Sequence, residues 1–274
     1  MRDKVTLTKK CIELANYAID EEDEPAAPEG GGGFSKAFRL AVNLLRVGSE
    51  ETYRSLEALL EHTPAIRDEL GISESDVPDY STVCKWYQEI MMEVWCLLLR
   101  HSAEIAGTSG RAAIDSTLFE RHQASSHYIS RTDYTFDKLK VTLLVDIESQ
   151  AVLDFHCATR KTHDTQIGIQ VARRNAEDLQ VLLGDKGYDW QELRDFLRAH
   201  DVRPLIKHLE FTSLDAAHNA RMDADLYGQR SKAETVNATI KQPYGSELTA
   251  KTWYGEFREL AIKCIVHNLQ RAVR

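Results

Sequence analysis

The feature that most constrains this fold is a change of texture at Gly107-Thr108-Ser109-Gly110. Before it, apolar residues recur at helical spacing; after it, they fall in short alternating runs typical of strands. Leu7 to Ile19 reads as a helix, Ser35 caps a second carrying Phe38, Val42 and Leu45, and Tyr53, Leu56 and Leu60 mark a third. Thr63-Pro64 opens a short helix that ends near Gly71. A single long helix is then expected from about Thr82 to His101, with Val83, Trp86, Tyr87, Ile90, Val94 and Leu97 on it. Trp86 and Trp95 are expected to anchor that helical core. Residues 21–33 combine an acid run, two prolines and a glycine run, and read as a flexible loop.

Beyond the switch, Ala112-Ala113-Ile114-Asp115 reads as a strand, and Lys140 to Ile147 with Ala151 to Thr159 as an antiparallel hairpin. Helices at Thr165 to Glu177 and Trp190 to His200 then alternate with strands at Leu179 to Leu183 and Val202 to Ile206. Strands first, followed by strand and helix in alternation, imply a mixed sheet with helices on its faces. A polar loop leads to helices over about Gly228 to Lys241 and Thr252 to Ala272. The expected architecture is α/β: an all-helical N-terminal domain over residues 1–106, and a mixed-sheet domain over 107–274.

Charge first argues against a nucleic-acid partner, because 34 Lys plus Arg against 43 Asp plus Glu give −9. The distribution reverses that reading. Residues 1–100 hold 11 basic and 19 acidic groups, whereas residues 226–274 hold 8 and 4 and are net positive. The longest apolar stretch, Ile90 to Leu99, is interrupted by Glu93 and is too short for a membrane span. With no secretory pattern at the start, a cytoplasmic location and no membrane partner are expected. Five scattered cysteines without a Cys-x-x-Cys pair speak against a disulfide framework or a structural zinc site.

Three acids stand where chemistry is expected. Asp115 ends the run Ala112-Ala113-Ile114, and Asp185 ends Val181-Leu182-Leu183-Gly184. Acids at strand ends face the loops where α/β sheets present ligands, although Gly184-Asp185-Lys186-Gly187 is equally good turn chemistry. If Tyr227 to Lys241 is one helix, then Tyr227, Arg230, Glu234 and Lys241 share an arc of about 60°. Ala233, Val236 and Ile240 face away from it, and Pro243 is expected to end the helix at Gln242. The same spacing also permits a plain solvated face with an Arg230 to Glu234 pair. His122, His127, His156 and His163 with Asp164 lack metal-ligand spacing and read as loop or surface residues. Ser125-Ser126-His127-Tyr128 and Arg131 suit either plain loop or DNA contact.

Tyr227-x2-Arg230-x3-Glu234-x6-Lys241, preceded in order by Ile114-Asp115-Ser116-Thr117 and Gly184-Asp185-Lys186-Gly187-Tyr188, resembles the DDE transposases of bacterial and archaeal insertion sequences. Together the motifs resemble the insertion-sequence-five family and its relatives, over about residues 109–274. The resemblance implies an RNase H-like catalytic domain in which Asp115, Asp185 and Glu234 hold two Mg²⁺ or Mn²⁺ ions. Carboxylate oxygens suit such hard cations, and a metal pair stabilises both the attacking and the leaving oxygen of a phosphoryl displacement.

It further implies that Arg230 and Lys241 meet DNA phosphate, that Tyr227 lies near the cut, and that Lys186 either meets phosphate or sits in an exposed turn. The implied activity is binding of terminal inverted repeats, cleavage at the element's ends and transfer of the 3′ hydroxyl to target DNA. The reaction implies a homodimer or larger assembly. Two alternatives stay open at this level: a metal-dependent nuclease without strand transfer, and an inactive DNA-binding regulator. The N-terminal helices suit either DNA binding or simple packing.

Overall fold

The computed structural model describes residues 3–19, 26, 33–121, 138–158, 162–250 and 252–272. Most of loop 21–33, His122, Ser125 to Tyr128 and Arg131 lie outside the described residues. The chain forms two compact units, Met1–Ala106 with Phe257–Arg274, and Gly107–Glu256.

Among the described residues the first unit is helical: α1 (Lys4–Ile19), α2 (Lys36–Gly48), α3 (Tyr53–His62), α4 (Pro64–Leu70), α5 (Tyr80–Glu89) and α6 (Met92–Ala106). The C-terminal helix, Trp253–Ala272, joins this unit from Phe257 onward, which differs from the expected continuous stretch 107–274. Local chemistry sets the boundaries. The Ser35 hydroxyl accepts the Phe38 amide at 3.1 Å, Thr52 and Ser55 form a reciprocal capping box, and Gly71 closes α4 in the left-handed region at φ 69°. The long helix expected from Thr82 to His101 is instead two, because Ile90 turns extended at ψ 124°. The break lets α5 pack on α2 and α3 while α6 packs on α1. One straight helix presents only one stripe and could not serve both. Trp95 is fully buried and Trp86 nearly so.

The second unit is built from β1 (Arg111–Arg121), β2 (Leu139–Asp146), β3 (Val152–Ala158), α7 (Asp164–Asn175), β4 (Val181–Gly184), α8 (Gln191–Ala199), β5 (Arg203–Ile206), α9 (Ser213–Ala220), α10 (Ala224–Gly228), α11 (Ser231–Tyr244) and β6 (Glu247–Leu248). The strands form a mixed sheet in the order β3-β2-β1-β4-β5, with β6 pairing the far end of β1. β1, β2 and β3 run antiparallel, whereas β4 and β5 run parallel to β1. Among the described residues no helix is long and apolar enough to cross a membrane.

Alternation along β1 sorts its side chains between two environments. Ala112 and Ile114 enter the core with Ile167, Val171, Leu182, Leu193 and Leu197, under α7 and α8. Asp115 and Thr117, on the opposite face, meet Asn237 and Lys241 of α11. Four helical residues advance about 6 Å and two strand residues about 6.6 Å, so α11 and β1 keep step over this stretch. Gly168 of α7 permits a close approach: a Cβ there would lie 2.8 Å from the Tyr188 ring.

Three expectations are corrected. The segment expected as a polar loop before the third acid carries α9 and α10, with Thr212 and Asp215 forming a capping box for α9. Tyr227 lies on α10 rather than on the helix of Glu234, because the chain tightens between Gly228 and Ser231 through the Arg230 amide to Tyr227 carbonyl bond at 3.1 Å. Pro243 does not stop α11 at Gln242, and the helix runs to Tyr244 before Gly245 at φ 78°. In a last turn the missing proline N–H deprives a single carbonyl of its donor, so the helix tolerates it.

Candidate active site

Asp115 is not the last residue of its strand, as the apolar run suggested, but sits within an eleven-residue strand opposite Leu143 of β2. On its other side the ladder does end. β1 pairs with β4 only from Arg111↔Val181 to Ala113↔Leu183, and that register carried two residues on sets Asp115 against Asp185. Both acids therefore stand just past the end of one parallel ladder, where backbone pairing gives way to side chains. Asp185 also behaves as a turn residue, its Oδ1 accepting the Gly187 amide at 2.8 Å and capping a short 3-10 turn at Lys186–Tyr188.

Glu234 occupies the first turn of α11 and is half-exposed. Its Oε1 takes an ion pair from Arg230 Nη1 at 2.7 Å. Asp115 is half-buried, and burial pushes its carboxyl above the usual carboxylate range, with the charges of Glu234 and Asp185 pushing the same way. The Asn237 amide and the Ser116 backbone N–H oppose that push. Asn237 was not singled out by sequence, although it lies at the edge of the polar arc. Its Nδ2 donates to Asp115 Oδ2 at 2.8 Å.

On the reverse face of β1 lies a second polar group. Ser116 Oγ is 2.7 Å from both Thr142 Oγ1 and Asp164 Oδ1, and 2.9 Å from the Tyr188 hydroxyl. Lys140 Nζ pairs with Asp164 at 2.8 Å. Burial holds the Tyr188 phenol well above its ordinary range. Asp164, which the sequence places with His163 just after a strand, is bonded by Ser116 of the strand that carries Asp115.

The remaining motif residues diverge. Tyr227 packs under the Lys207 ammonium, 4.7 Å from its ring centroid, and Lys186 pairs with Glu210 at 2.8 Å. Lys241 Nζ donates to Thr117 Oγ1 and to the Leu118 carbonyl, and lies 5.0 Å from the Phe119 ring centroid. Burial lowers its pKa, and Lys138 adds to the effect.

The family profile of the transposase DDE domain matches residues 107–269, more than half of the chain. The chain belongs to that family. The chain also aligns with the cryo-EM structure of a piggyBac transposase synaptic complex with hairpin DNA, at a TM-score of 0.52 and 9% identity, covering 100% of this chain and 75% of that one. At that identity the likeness concerns the fold alone. No curated protein matches the chain in sequence.

The DDE family implies dependence on a divalent metal. Asp115, Asp185 and Glu234 offer carboxylate oxygens, the kind of donor a hard cation takes, and the charges of the other two add to the burial that raises the pKa of Asp115. Among the described residues, no three His, Cys, Asp or Glu side chains are gathered closely enough to hold a metal ion together. Glu234 is turned onto Arg230, and Asp185 onto its own turn.

Proposed function

We propose that this chain is a DNA transposase of an insertion sequence, of the insertion-sequence-five type, that cleaves DNA at the element's ends and joins the freed 3′ hydroxyl to target DNA. The observation that carries the reading is that the β1–β4 register, carried past its last pair, sets Asp115 opposite Asp185, while α11, the helix of Glu234, bonds to Asp115 through Asn237. The strand order, with three antiparallel strands followed by two parallel ones, supports an RNase H-like catalytic domain in residues 107–256.

In this reading Asp115, Asp185 and Glu234 hold two Mg²⁺ or Mn²⁺ ions, which when bound stabilise charge on the attacking and leaving oxygens. The chain's own residues do the rest. β1 and β4 fix two of the acids, and α11 brings the third. Arg230 exchanges Glu234 for DNA phosphate, with Lys241, Lys186 and Tyr227 along the same bound strand. The partners are the terminal inverted repeats and target DNA, and the helical unit is a candidate for repeat recognition. Since two ends are processed together, the working form is a homodimer or larger assembly.

The test is incubation of the purified protein with Mg²⁺ or Mn²⁺ and DNA bearing the element's own ends. Cleavage followed by joining is expected. Cutting that never leads to joining would reduce the reading to a nuclease, and binding with neither reaction would leave a regulator.

A further inference from the structure

Asn237 is buried, 6% exposed. Its neighbours on the inner face of α11, Ala233, Val236 and Ile240, are all buried and apolar. Its amide is used on one side only: Nδ2 donates to Asp115 Oδ2 at 2.8 Å, while Oδ1 is buried and finds no hydrogen-bond partner among the described residues. A buried oxygen without a donor is unfavourable, so packing alone does not account for an asparagine here. The amide cannot turn round to relieve it. Reversal would bring Oδ1 against the carboxylate of Asp115, acceptor against acceptor.

The contact also spans 122 residues of sequence and ties α11, the helix of Glu234, to the strand of Asp115. Asn237 stands one turn beyond Glu234, so a single helix delivers one acid and steadies another. Resting on the function proposed above, we infer that Asn237 is a positioning residue, which holds Asp115 Oδ2 so that the carboxylate meets the divalent cation in one orientation. Ligating carboxylates commonly depend on such an outer hydrogen bond, and its loss weakens metal affinity by about 10- to 100-fold.

The experiment uses Asn237→Leu and Asn237→Ala in the full chain, with Mn²⁺ as the probe. Free Mn²⁺ is followed by electron paramagnetic resonance as metal-free protein is titrated, and DNA cleavage is measured over a range of Mn²⁺ concentrations. Both variants are expected to fold, to bind Mn²⁺ about 10- to 100-fold more weakly, and to recover cleavage as Mn²⁺ is raised. A residue that merely packs would not shift the Mn²⁺ titration. Unchanged Mn²⁺ affinity in either folded variant overturns the inference, as does failure of both to fold, which would make Asn237 part of the framework. Asp115→Asn separates the two levels. If it keeps Mn²⁺ binding and cleavage, the proposed active site is wrong; if it loses both while the Asn237 variants match the wild type, only this inference falls.

Discussion

Asp146 and Asp115 lie three residues apart in the same β1–β2 ladder, since Asp146 pairs with Ala112, yet the chain treats their carboxylates in opposite ways. Asp146 is fully buried and accepts from the Ser109 amide and hydroxyl at 2.6 and 2.7 Å, from the Glu148 and Ser149 amides at 2.9 Å, and from the Ser149 hydroxyl at 3.2 Å. Asp115 has the Asn237 amide and one backbone N–H, and faces two other acids. Both end an apolar run in the sequence. A carboxylate surrounded by donors closes a turn; one left short of donors beside other acids is, in the proposed reading, the one that meets a cation.

The largest expected effect tests the second half of that comparison. Asp115→Asn, Asp185→Asn and Glu234→Gln should each reduce cleavage and joining by more than about 100-fold, beyond the loss of an outer-shell contact, while DNA binding persists. Gel-based cleavage assays and binding isotherms decide it, and undiminished cleavage in any one variant removes that acid from the site. The first half predicts a stability effect instead. Asp146→Ala strands several donors and should cost about 3 kcal/mol, a fall in Tm of roughly 6–12 °C. Calorimetry should find Asp115→Asn at or above the wild-type Tm, since that change removes like-charge repulsion. The contrast breaks if the two variants melt alike.

Arg230 and Lys241 extend the comparison to cations, because one pairs with Glu234 and the other donates to β1. If both reach phosphate in the complex, Arg230→Ala or Lys241→Ala should lower the slope of log K against log salt by about 0.9 each. A slope unchanged only in Lys241→Ala would assign that lysine to the strand rather than to DNA. The smallest effect concerns His156 of β3, which pairs with Thr142 of β2. Burial, aided by Arg174, depresses its pKa, so the folded state resists protonation. Its stabilising contribution is present above the unfolded value of about 6.5 and is lost as pH falls through the lower folded value. His156→Gln should flatten the decline in Tm on acidification; an unchanged pH profile would show that the imidazole charges freely.

Much of this was legible because it depends on neighbours in sequence. Helical stripes, caps such as Ser35 and the hairpin of β2 and β3 follow from local periodicity and spacing, whereas the three acids were joined in order by the resemblance of their motifs to those of a family. Local reasoning failed where packing decided. Ile90 interrupts a helix that its apolar spacing would continue, and Tyr227 leaves the helix that its motif spacing assumed.

The sequence by itself determined the change from helices to sheet at residue 107 and most of the elements on either side of it. Only the tertiary structure decided which acids are supplied with donors and which are not. The deciding part of that supply comes from residues far away in the chain: Ser109 reaches Asp146 across 37 positions and Asn237 reaches Asp115 across 122, whereas among the described residues Asp185 has only a donor from its own turn. The charge of a carboxylate is a property of the residue, but its solvation is a property of everything folded around it.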